Sequence, residues 1–410
     1  RIERCDYCLQ AGKVLKCSSC KYVFYCDRTC QAAAWEVHKS ECKYLKKALP
    51  KTIPDAGRML VRIILKLKNG GDMEKGYYAD GSYRRFWDLM SHYSDIKLDA
   101  RRTEHFEALA AILEDIFEDE ILPNRCELLG IYGRLVINTF NILDDDMHSI
   151  GTGLYLAASI IDHNCKPNAV ATFVGTTLRI HLIEDIPCLD WSKIFISYVD
   201  IMSTAEERRK ELKDGYYFLC TCSRCVNVTE REEMRGAICV NKNCNASFYI
   251  KRDRCPKCDT FFLEKQRKVY NEVMEFTKNN LETMKEYCYL DVCKMCLDKQ
   301  KDVFHPLNLW HVKTLDSAFE SAIAVQKWTD ALEFGTKLIP GFRKYYGEWN
   351  PLLGLLYMKL GKIQLEKDLD AEARKNLAEA AKIIGVSYGT DHSCYKEAVR
   401  LFCQTRCPDD

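Results

Sequence analysis

The sequence has no uninterrupted apolar run as long as a membrane-spanning helix requires. It also lacks the charged start and apolar stretch of a secretion signal, and its first residue is Arg1 rather than methionine. The net charge is only +1, which excludes a broad electrostatic field for nucleic acid around the whole molecule. What remains is a chain of 410 residues, 47% of them apolar, which is enough for two or three packed domains.

Positive charge is concentrated at the start of the chain. Residues 1–70 carry 15 Lys or Arg against 6 Asp or Glu, an excess of nine positive charges. Such a segment is typical of the solvated surface of a small domain; the alternatives are a surface for an acidic partner or for DNA phosphates. Direct DNA binding is the weaker alternative, because no aromatic stacking platform is interleaved with the Lys and Arg residues.

Cysteine, by contrast, is abundant, with 23 residues. Without a secretion signal, cysteines at short and repeated spacings indicate zinc sites rather than disulfides. The first cluster lies within residues 5–42, and its eight ligands make two tetrahedral zinc sites with none left over. A segment this short depends on its metals for folding energy. The ligands are Cys5, Cys8, Cys17, Cys20, Cys26, Cys30, His38 and Cys42.

Two further cysteine clusters follow. Cys220, Cys222 and Cys225 leave a tetrahedral zinc one ligand short, and either Cys165 or Cys188 could supply the fourth. A last group surrounds a β-like segment in the layout of a small zinc ribbon. Its members are Cys239, Cys244, Cys255 and Cys258.

The apolar periodicity of the first third of the chain predicts helices between about residues 50 and 125. The first of them is expected to stop at Gly70 and Gly71. Two more amphipathic helices are predicted over residues 84–96 and 104–122.

The pattern then changes to strands over residues 126–200, with a hairpin around residues 175–177 and a short strand over 193–200. From residue 264 onward it predicts helical hairpins similar to tetratricopeptide (TPR) repeats. Three cysteines of this part have no fourth ligand nearby, so we interpret them as core thiols. They are Cys288, Cys293 and Cys296.

Two sets of motifs carry a family resemblance. The ligand order of residues 5–42, with Tyr25 before Cys26 and Trp35 before His38, resembles a MYND finger. The segments SIIDHNCKPNA and ISYVDIMSTAEERRKELKDGYYFLCTCSRC resemble a SET domain core and its cysteine-rich post-SET tail. Together they make the chain similar to the SMYD family of protein-lysine methyltransferases.

The resemblance implies an α+β fold with a zinc-stabilised MYND finger, a SET β-core with a post-SET zinc site, and a C-terminal TPR-like α-helical domain. The predicted boundaries are 1–48 for the finger, 49–125 for a helical SET insert, 126–200 for the SET core, 201–226 for the post-SET zinc region, 227–263 for the zinc ribbon and 264–410 for the TPR-like domain.

The family also implies how the ligands divide among the zinc ions. The pairs of the finger interleave, and Cys165 completes the post-SET site, which leaves Cys188 as a buried or free thiol. The implied sets are Cys5, Cys8, Cys26 and Cys30; Cys17, Cys20, His38 and Cys42; and Cys165, Cys220, Cys222 and Cys225.

S-adenosylmethionine beside a narrow lysine channel is implied as well. Tyr198 falls on the family's catalytic tyrosine, whose hydroxyl can orient a neutral lysine amine for methyl transfer. Tyr216 and Phe218 match channel-wall aromatics, which tolerate a methylammonium group through cation–π contact. The implied cofactor-binding residues are His92, Asn138, Ser159, Ile161, Asp162, His163, Tyr216 and Phe218.

Three departures from the family favour an alternative. Family members carry a SET strand and a Gly-rich turn before the finger, so an N-terminal SET segment is expected to be missing here. Asp162 replaces an asparagine, and a buried carboxylate needs a partner or an elevated pKa. The usual Gly-Glu-Glu turn is replaced by Asp190–Lys193. The alternative is a catalytically impaired, zinc-binding interaction scaffold in transcriptional regulation.

The expected partners follow from the same comparison. They are lysine-bearing protein substrates, including histone tails, and proline-rich peptides at the MYND finger. We expect about four zinc ions per chain, counting tetrahedral sets. A monomer located in the cytoplasm and the nucleus is expected.

Overall fold

The computed structural model describes residues 3–117, 122–284 and 289–406. At the N-terminus, strands β1 (Leu15–Lys16) and β2 (Phe24–Tyr25) form an antiparallel hairpin that is followed by helix α1 (Arg28–Ala48). The helix begins where the Asp27 carboxylate accepts a hydrogen bond from the Cys30 amide across 2.8 Å. This cap satisfies a donor that the first helical turn otherwise leaves unpaired.

The segment between the finger and the strands is mostly helical, as predicted for residues 50–125. Strands were predicted from residue 126, which is wrong: Arg125–Asn138 is a further helix whose buried side chains follow a helical period, and the strands begin at Thr139. Helix α2 (Asp55–Lys68) stops before Gly70, whose φ of +83° a helix cannot continue. The apolar faces of these helices share one hydrophobic core with the finger. The elements that follow α2 are β3 (Gly76–Ala79), β4 (Ser82–Arg84), α3 (Tyr93–Leu98), α4 (Ala100–Ile116) and α5 (Arg125–Asn138).

The predicted helix over residues 84–96 is wrong. A single 3-10 turn covers Phe86–Asp88, and regular helix resumes only at Tyr93. His92 interrupts the segment because its backbone is left-handed, with φ of +46°. Of the helix predicted over residues 104–122, residues 118–121 lie outside the described part of the chain.

The middle of the chain forms small two-stranded sheets, and we call residues 139–196 the strand region. The predicted hairpin is confirmed, with a turn at Gly175 in the left-handed conformation at φ +59°. Of the strand predicted over 193–200, only Phe195–Ile196 is paired, in parallel with Asp162–His163. The strands are β5 (Thr139–Leu143), β6 (Ser149–Leu154), β7 (Asp162–His163), β8 (Ala169–Val174), β9 (Thr177–Leu182) and β10 (Phe195–Ile196).

Three short helices and a small hairpin connect the strand region to the C-terminal helices. They are α6 (Ala205–Tyr216), α7 (Ser223–Val226), α8 (Val228–Glu233), β11 (Gly236–Ile238) and β12 (Ser247–Tyr249).

The C-terminal part is helical, as predicted, and from α10 onward each helix packs against the next. The helices surround the largest hydrophobic core of the molecule, which also takes in buried residues of the small ribbon. None of the helices in the described ranges is long and apolar enough to cross a membrane. The helices are α9 (Glu264–Thr283), α10 (Leu290–Gln300), α11 (Leu309–Ala324), α12 (Trp328–Tyr346), α13 (Pro351–Glu366), α14 (Asp370–Ser387) and α15 (Ser393–Gln404).

Candidate active site and metal centres

The structure gathers the finger ligands into two groups, and in each the ligand atoms lie within 4.8 Å of one another. The two groups interleave along the chain, because the turns before β1 and β2 and the start of α1 bring distant pairs together. Four soft or borderline ligands at such distances fit a tetrahedral zinc ion. The groups are Cys5, Cys8, Cys26 and Cys30, and Cys17, Cys20, His38 and Cys42.

A buried carboxylate supports the histidine of the second group. His38 Nδ1 lies 3.1 Å from Glu41 Oε1, and Arg58 and Arg62 of α2 both donate hydrogen bonds to the same carboxylate. Burial opposes ionisation of Glu41, but the hydrogen bonds from His38 and Arg62 and the charge of Arg58 lower its pKa well below the usual range. Glu41 therefore fixes the orientation of His38, a candidate metal ligand, and two arginines from outside the finger hold Glu41 in place.

A third group forms around the post-SET cysteines. Cys165 joins it, with its sulfur 3.4 Å from that of Cys225 and 3.9 Å from that of Cys220. Cys188, the competing candidate, is exposed and lies outside the group. Buried Arg208 donates a hydrogen bond to the Cys225 sulfur across 3.7 Å. The hydrogen bond from Cys165 and the charge of Arg208 lower the pKa of the Cys225 thiol, although burial opposes this.

The four ribbon cysteines form a fourth group, with Cys239 and Cys258 sulfurs 3.5 Å apart. Three of the four are buried. Cys293 and Cys296 are buried on α10 and take part in no such group, whereas Cys288 lies outside the described residues.

A fifth group, which the sequence did not reveal, has a different character. Asp145, His392 and Cys394 approach one another, but both ring nitrogens of His392 already have partners. Nδ1 accepts from the Cys394 amide at 3.1 Å, so Nε2 donates to the Phe173 carbonyl oxygen at 3.1 Å. Nearby, Arg179 pairs with Asp391 across 2.6 Å. We interpret these contacts as the interface that holds the C-terminal helices against the strand region.

The site candidate that contains the predicted tyrosines is a cavity of about 590 Å³ between the strand region and the C-terminal helices. Tyr346 and Asn350 contribute the helical wall. Of the nine residues predicted for catalysis and cofactor binding, five line the cavity and four do not. The five are Asn138, Ser159, Ile161, Tyr198 and Tyr216; the four are His92, Asp162, His163 and Phe218.

Tyr198 is held firmly at this cavity. Its hydroxyl donates to the Ile161 carbonyl oxygen at 2.6 Å, and its ring centroid lies 4.9 Å from that of Tyr216. Burial, followed by the negative charge of Asp162, raises the pKa of Tyr198 well above its usual value. The hydroxyl therefore keeps its proton at neutral pH.

His163 lies behind this tyrosine rather than in the cavity. Its Nδ1 accepts a hydrogen bond from the Tyr198 amide at 3.0 Å, and its Nε2 lies 3.2 Å from the Cys165 sulfur. Burial, assisted by the charge of Arg208, lowers the pKa of His163 to about 4. The neutral ring thus connects the third cysteine group to the tyrosine, and Phe218 packs 6.0 Å from it.

Asp162 is exposed, so the expectation that a buried carboxylate sits here is wrong. The residue belongs to β7, which pairs in parallel with β10 and has Phe195 opposite Asp162. Because side chains alternate along a strand, the neighbouring His163 points inward while Asp162 points to solvent. The carboxylate needs no buried partner.

His92 lies at a separate edge of the site, and Tyr217, which the sequence analysis missed, packs against it at 5.4 Å between ring centroids. The loop before His92 is held by Asn138, whose Nδ2 donates to the Met90 carbonyl oxygen at 2.8 Å. Gly133 permits this approach, because a Cβ there would lie 2.1 Å from the Ser91 carbonyl oxygen. In the sequence, only its position next to Tyr216 could have suggested that Tyr217 belongs to the site.

The sequence also did not predict two acidic residues at this cavity, one in its wall and one behind it. Asp200 accepts a hydrogen bond from the Tyr346 hydroxyl at 3.1 Å. Asp316 of α11 lies close enough to interact electrostatically with Asp200, and burial and the charge of Glu320 raise its pKa to about 7. Contacts of this kind join residues more than a hundred positions apart, so no local pattern signals them.

Comparison with known proteins supports the class of molecule that these features define, a zinc-finger protein with a tyrosine-lined cavity. Residues 5–42 match the MYND finger family. The human histone-lysine N-methyltransferase SMYD3 is 30% identical over 406 residues, covering 97% of this chain and 86% of that protein. The Xenopus laevis N-lysine methyltransferase SMYD2-A is 26% identical over 396 residues, covering 96% and 87%. The Arabidopsis thaliana histone-lysine N-methyltransferase ASHR1 is 26% identical over 413 residues, covering 96% and 85%.

The chain therefore belongs to the SMYD family. The expectation that an N-terminal SET segment is missing is not borne out by these alignments.

Proposed function

We propose that the protein is an S-adenosylmethionine-dependent protein-lysine N-methyltransferase stabilised by zinc. The observation that carries this proposal is the pair of partly buried rings, Tyr198 and Tyr216, at the wall of a cavity of about 590 Å³. The relatives are named as lysine methyltransferases, which does not favour the alternative of an impaired scaffold.

Asn138, which lines the cavity, is suited to bind the ammonium group of S-adenosylmethionine. Asn138 Nδ2 donates to the carbonyl oxygens of Met90 and Arg134 at 2.8 and 2.9 Å, which fixes the orientation of the amide. Its Oδ1 has no donor among the described residues and can accept from an ammonium group. When bound, the cofactor supplies an electrophilic methyl group. We assign cofactor binding to His92, Asn138, Ser159, Ile161, Asp162, His163, Tyr216 and Phe218 as a proposal.

Tyr198 would act by position rather than as a base. Its hydroxyl proton is engaged by Ile161, so the oxygen lone pairs are available to accept a hydrogen bond from a lysine amine. Holding a neutral amine in one orientation removes much of the entropic barrier to transfer. The faces of Tyr198 and Tyr216 can accommodate the methylammonium product through cation–π contact.

The acidic wall suits a positively charged substrate. Asp200 lines the cavity and Asp316 lies behind it, so an approaching protein segment with lysine meets negative potential before the amine reaches Tyr198. We propose lysine-bearing proteins, including histone tails, as substrates and proline-rich peptides as ligands of the finger. A monomer in the cytoplasm and nucleus is part of the same proposal.

Zinc is proposed for the four cysteine-rich groups, in a structural role. In each group four Cys or His ligands are close enough to share one ion, and four protein ligands fill a tetrahedral zinc site without leaving a position for water or substrate. The metals would therefore stabilise the finger, the post-SET turn and the ribbon.

The test is methyl transfer from labelled S-adenosylmethionine to histone proteins, together with calorimetry of cofactor binding. Tyr198→Phe is expected to lower turnover by about a hundredfold or more while leaving cofactor affinity and zinc content unchanged. Tyr289→Phe, an exposed tyrosine before α10, is the matched control and should keep full activity. Undiminished turnover in Tyr198→Phe would refute the assigned role, and the absence of both binding and transfer in the native protein would leave the scaffold alternative standing.

A further inference from the structure

A separate cavity of about 250 Å³ lies where the small ribbon meets helices α9 and α11. Its lining shares no residue with the tyrosine-lined cavity. Tyr249 comes from the end of β12, Tyr270 and Lys278 from α9, and Trp310 from α11. The proposed methyltransferase chemistry does not use this place.

The cavity is positively charged. Arg235, Lys251 and Lys278 line it, and no carboxylate does. Within the described ranges, no carboxylate lies within ion-pair distance of Lys251 or Lys278. Arg235 lies 3.7 Å from Glu206, but Arg231 lies at the same distance from that carboxylate and shares it. Glu207 is near enough to Lys278 to offset part of its charge without forming an ion pair, so positive charge still predominates at the cavity.

Two of these cations lie close to one another. Arg235 is near enough to Lys278 for the two positive charges to repel each other. Burial, and then the charge of Arg235, lower the pKa of Lys278. An anion between these groups would relieve their mutual repulsion.

The floor of the cavity is aromatic. Tyr270 and Trp310 are almost fully buried, and the Lys278 Nζ atom lies 4.5 Å from the centroid of the Trp310 ring. Tyr249, the third ring of the lining, is only half-buried, so part of it can contact another ring, and such contacts are most favourable in offset or edge-on geometry. The cavity thus combines a cationic rim with an aromatic floor.

We propose that this cavity binds a phosphate monoester carried on a flat aromatic group. A dianionic phosphate has enough oxygens for a guanidinium and two ammonium groups at once, whereas a carboxylate has two. The aromatic part would stack against the half-buried Tyr249 ring. Either a phosphotyrosine side chain of a partner protein or a free nucleotide monophosphate presents this chemistry.

Titration calorimetry of the full zinc-loaded chain with phenyl phosphate tests the proposal. Binding is expected, and both Lys251→Glu and Lys278→Met should weaken it by about tenfold or more, since each removes a charge-assisted contact. Lys268→Met, an exposed lysine on the same helix α9 that does not line the cavity, is the matched control and should bind as the native protein does. Equal zinc content and circular dichroism spectra would verify that the variants are folded.

No heat with phenyl phosphate would overturn the proposal, as would unchanged affinity in both lysine variants. Phenol binding as tightly as phenyl phosphate would overturn it too, because the cationic rim would then contribute nothing. Comparing phosphotyrosine amide with adenosine monophosphate identifies the source, and preferential binding of either one supports the site.

Discussion

His38 and Glu41 lie one helical turn apart on α1, with imidazole Nδ1 3.1 Å from carboxylate Oε1 and neither side chain accessible to solvent. Because the ionised carboxylate can only accept, Nδ1 carries the ring proton. The lone pair of Nε2 is then free for a metal, and this atom lies 3.6 Å from the Cys20 sulfur. Arg58 and Arg62 of α2 hold the carboxylate in place, so the metal centre depends on a helix outside the finger.

Glu41→Gln is therefore expected to weaken the second finger site by about 10- to 100-fold in zinc affinity. The neutral amide also leaves the two arginines without one of their partners, which we expect to cost about 3 kcal/mol in the free energy of unfolding. Competition with a chromophoric chelator measures the affinity. Glu36→Gln, on an exposed face of the same helix, should behave as the native protein does. Native zinc affinity in Glu41→Gln would show that the negative charge of Glu41 is not needed to orient the imidazole.

Elemental analysis should return about four zinc ions per chain, one for each tetrahedral set. Replacing Cys239 by serine should remove one ion from the ribbon and leave the finger intact. Chelation should unfold residues 5–42 before the C-terminal helices lose structure, because helices α11–α15 contribute no ligand to the four sets. A content of two ions or fewer would contradict the metal assignment.

Gly133→Ala should disturb the cofactor edge of the site from a position inside α5. The added Cβ would lie 2.1 Å from the Ser91 carbonyl oxygen, so the loop that carries His92 must move. We expect a loss of about 1–3 kcal/mol in unfolding free energy and weaker cofactor binding. Denaturant titration and calorimetry measure the two effects.

Gly130→Ala is the control for this change, since it lies on the same helix and the nearest described neighbour of its Cβ would be an Arg134 side-chain nitrogen at 3.5 Å. It should be neutral or slightly stabilising because alanine is the better helix former. If the two variants were equally stable, the close approach of the loop would be unimportant.

The features that could be predicted are those defined by residues close together in the sequence. Pairs of cysteines two or three residues apart, and the alternation on either side of Gly175, indicate knuckles and a hairpin from the chain itself. The helical periodicity of the C-terminal part is equally local. These features were predictable because the residues that define each of them are only a few positions apart in the sequence.

What could not be predicted depends on distant contacts. The sequence before His92 has a helical pattern, yet α3 begins only at Tyr93, because Gly133 admits the preceding loop against α5 and Asn138 holds the Met90 carbonyl oxygen. Asp162 looked like a buried charge, but the pairing of β7 with β10 turns it to solvent. Tertiary packing determined both outcomes.

Asp316 should make the stability of the protein depend on pH. Burial, together with the nearby charge of Glu320, raises the pKa of this carboxyl to about 7 in the folded chain, against about 3.9 when unfolded. Below about pH 3 the group is neutral in both states and has no effect. As pH rises toward 7 the unfolded state releases its proton first, so the unfolding free energy falls, and above 7 the loss is constant.

Asp316→Asn removes this loss, because an amide stays neutral throughout. With these pKa values the variant should already exceed the native protein by about 1–2 kcal/mol at pH 5, and its advantage should grow to about 4 kcal/mol by pH 7.5 and then level off. Denaturant titrations from pH 5 to 8 measure the difference, with Asp298→Asn on the exposed face of α10 as the control that should show no such trend. An advantage that stays constant with pH would mean that Asp316 is ionised across the whole range, and the negative wall of the cavity would then be stronger than proposed.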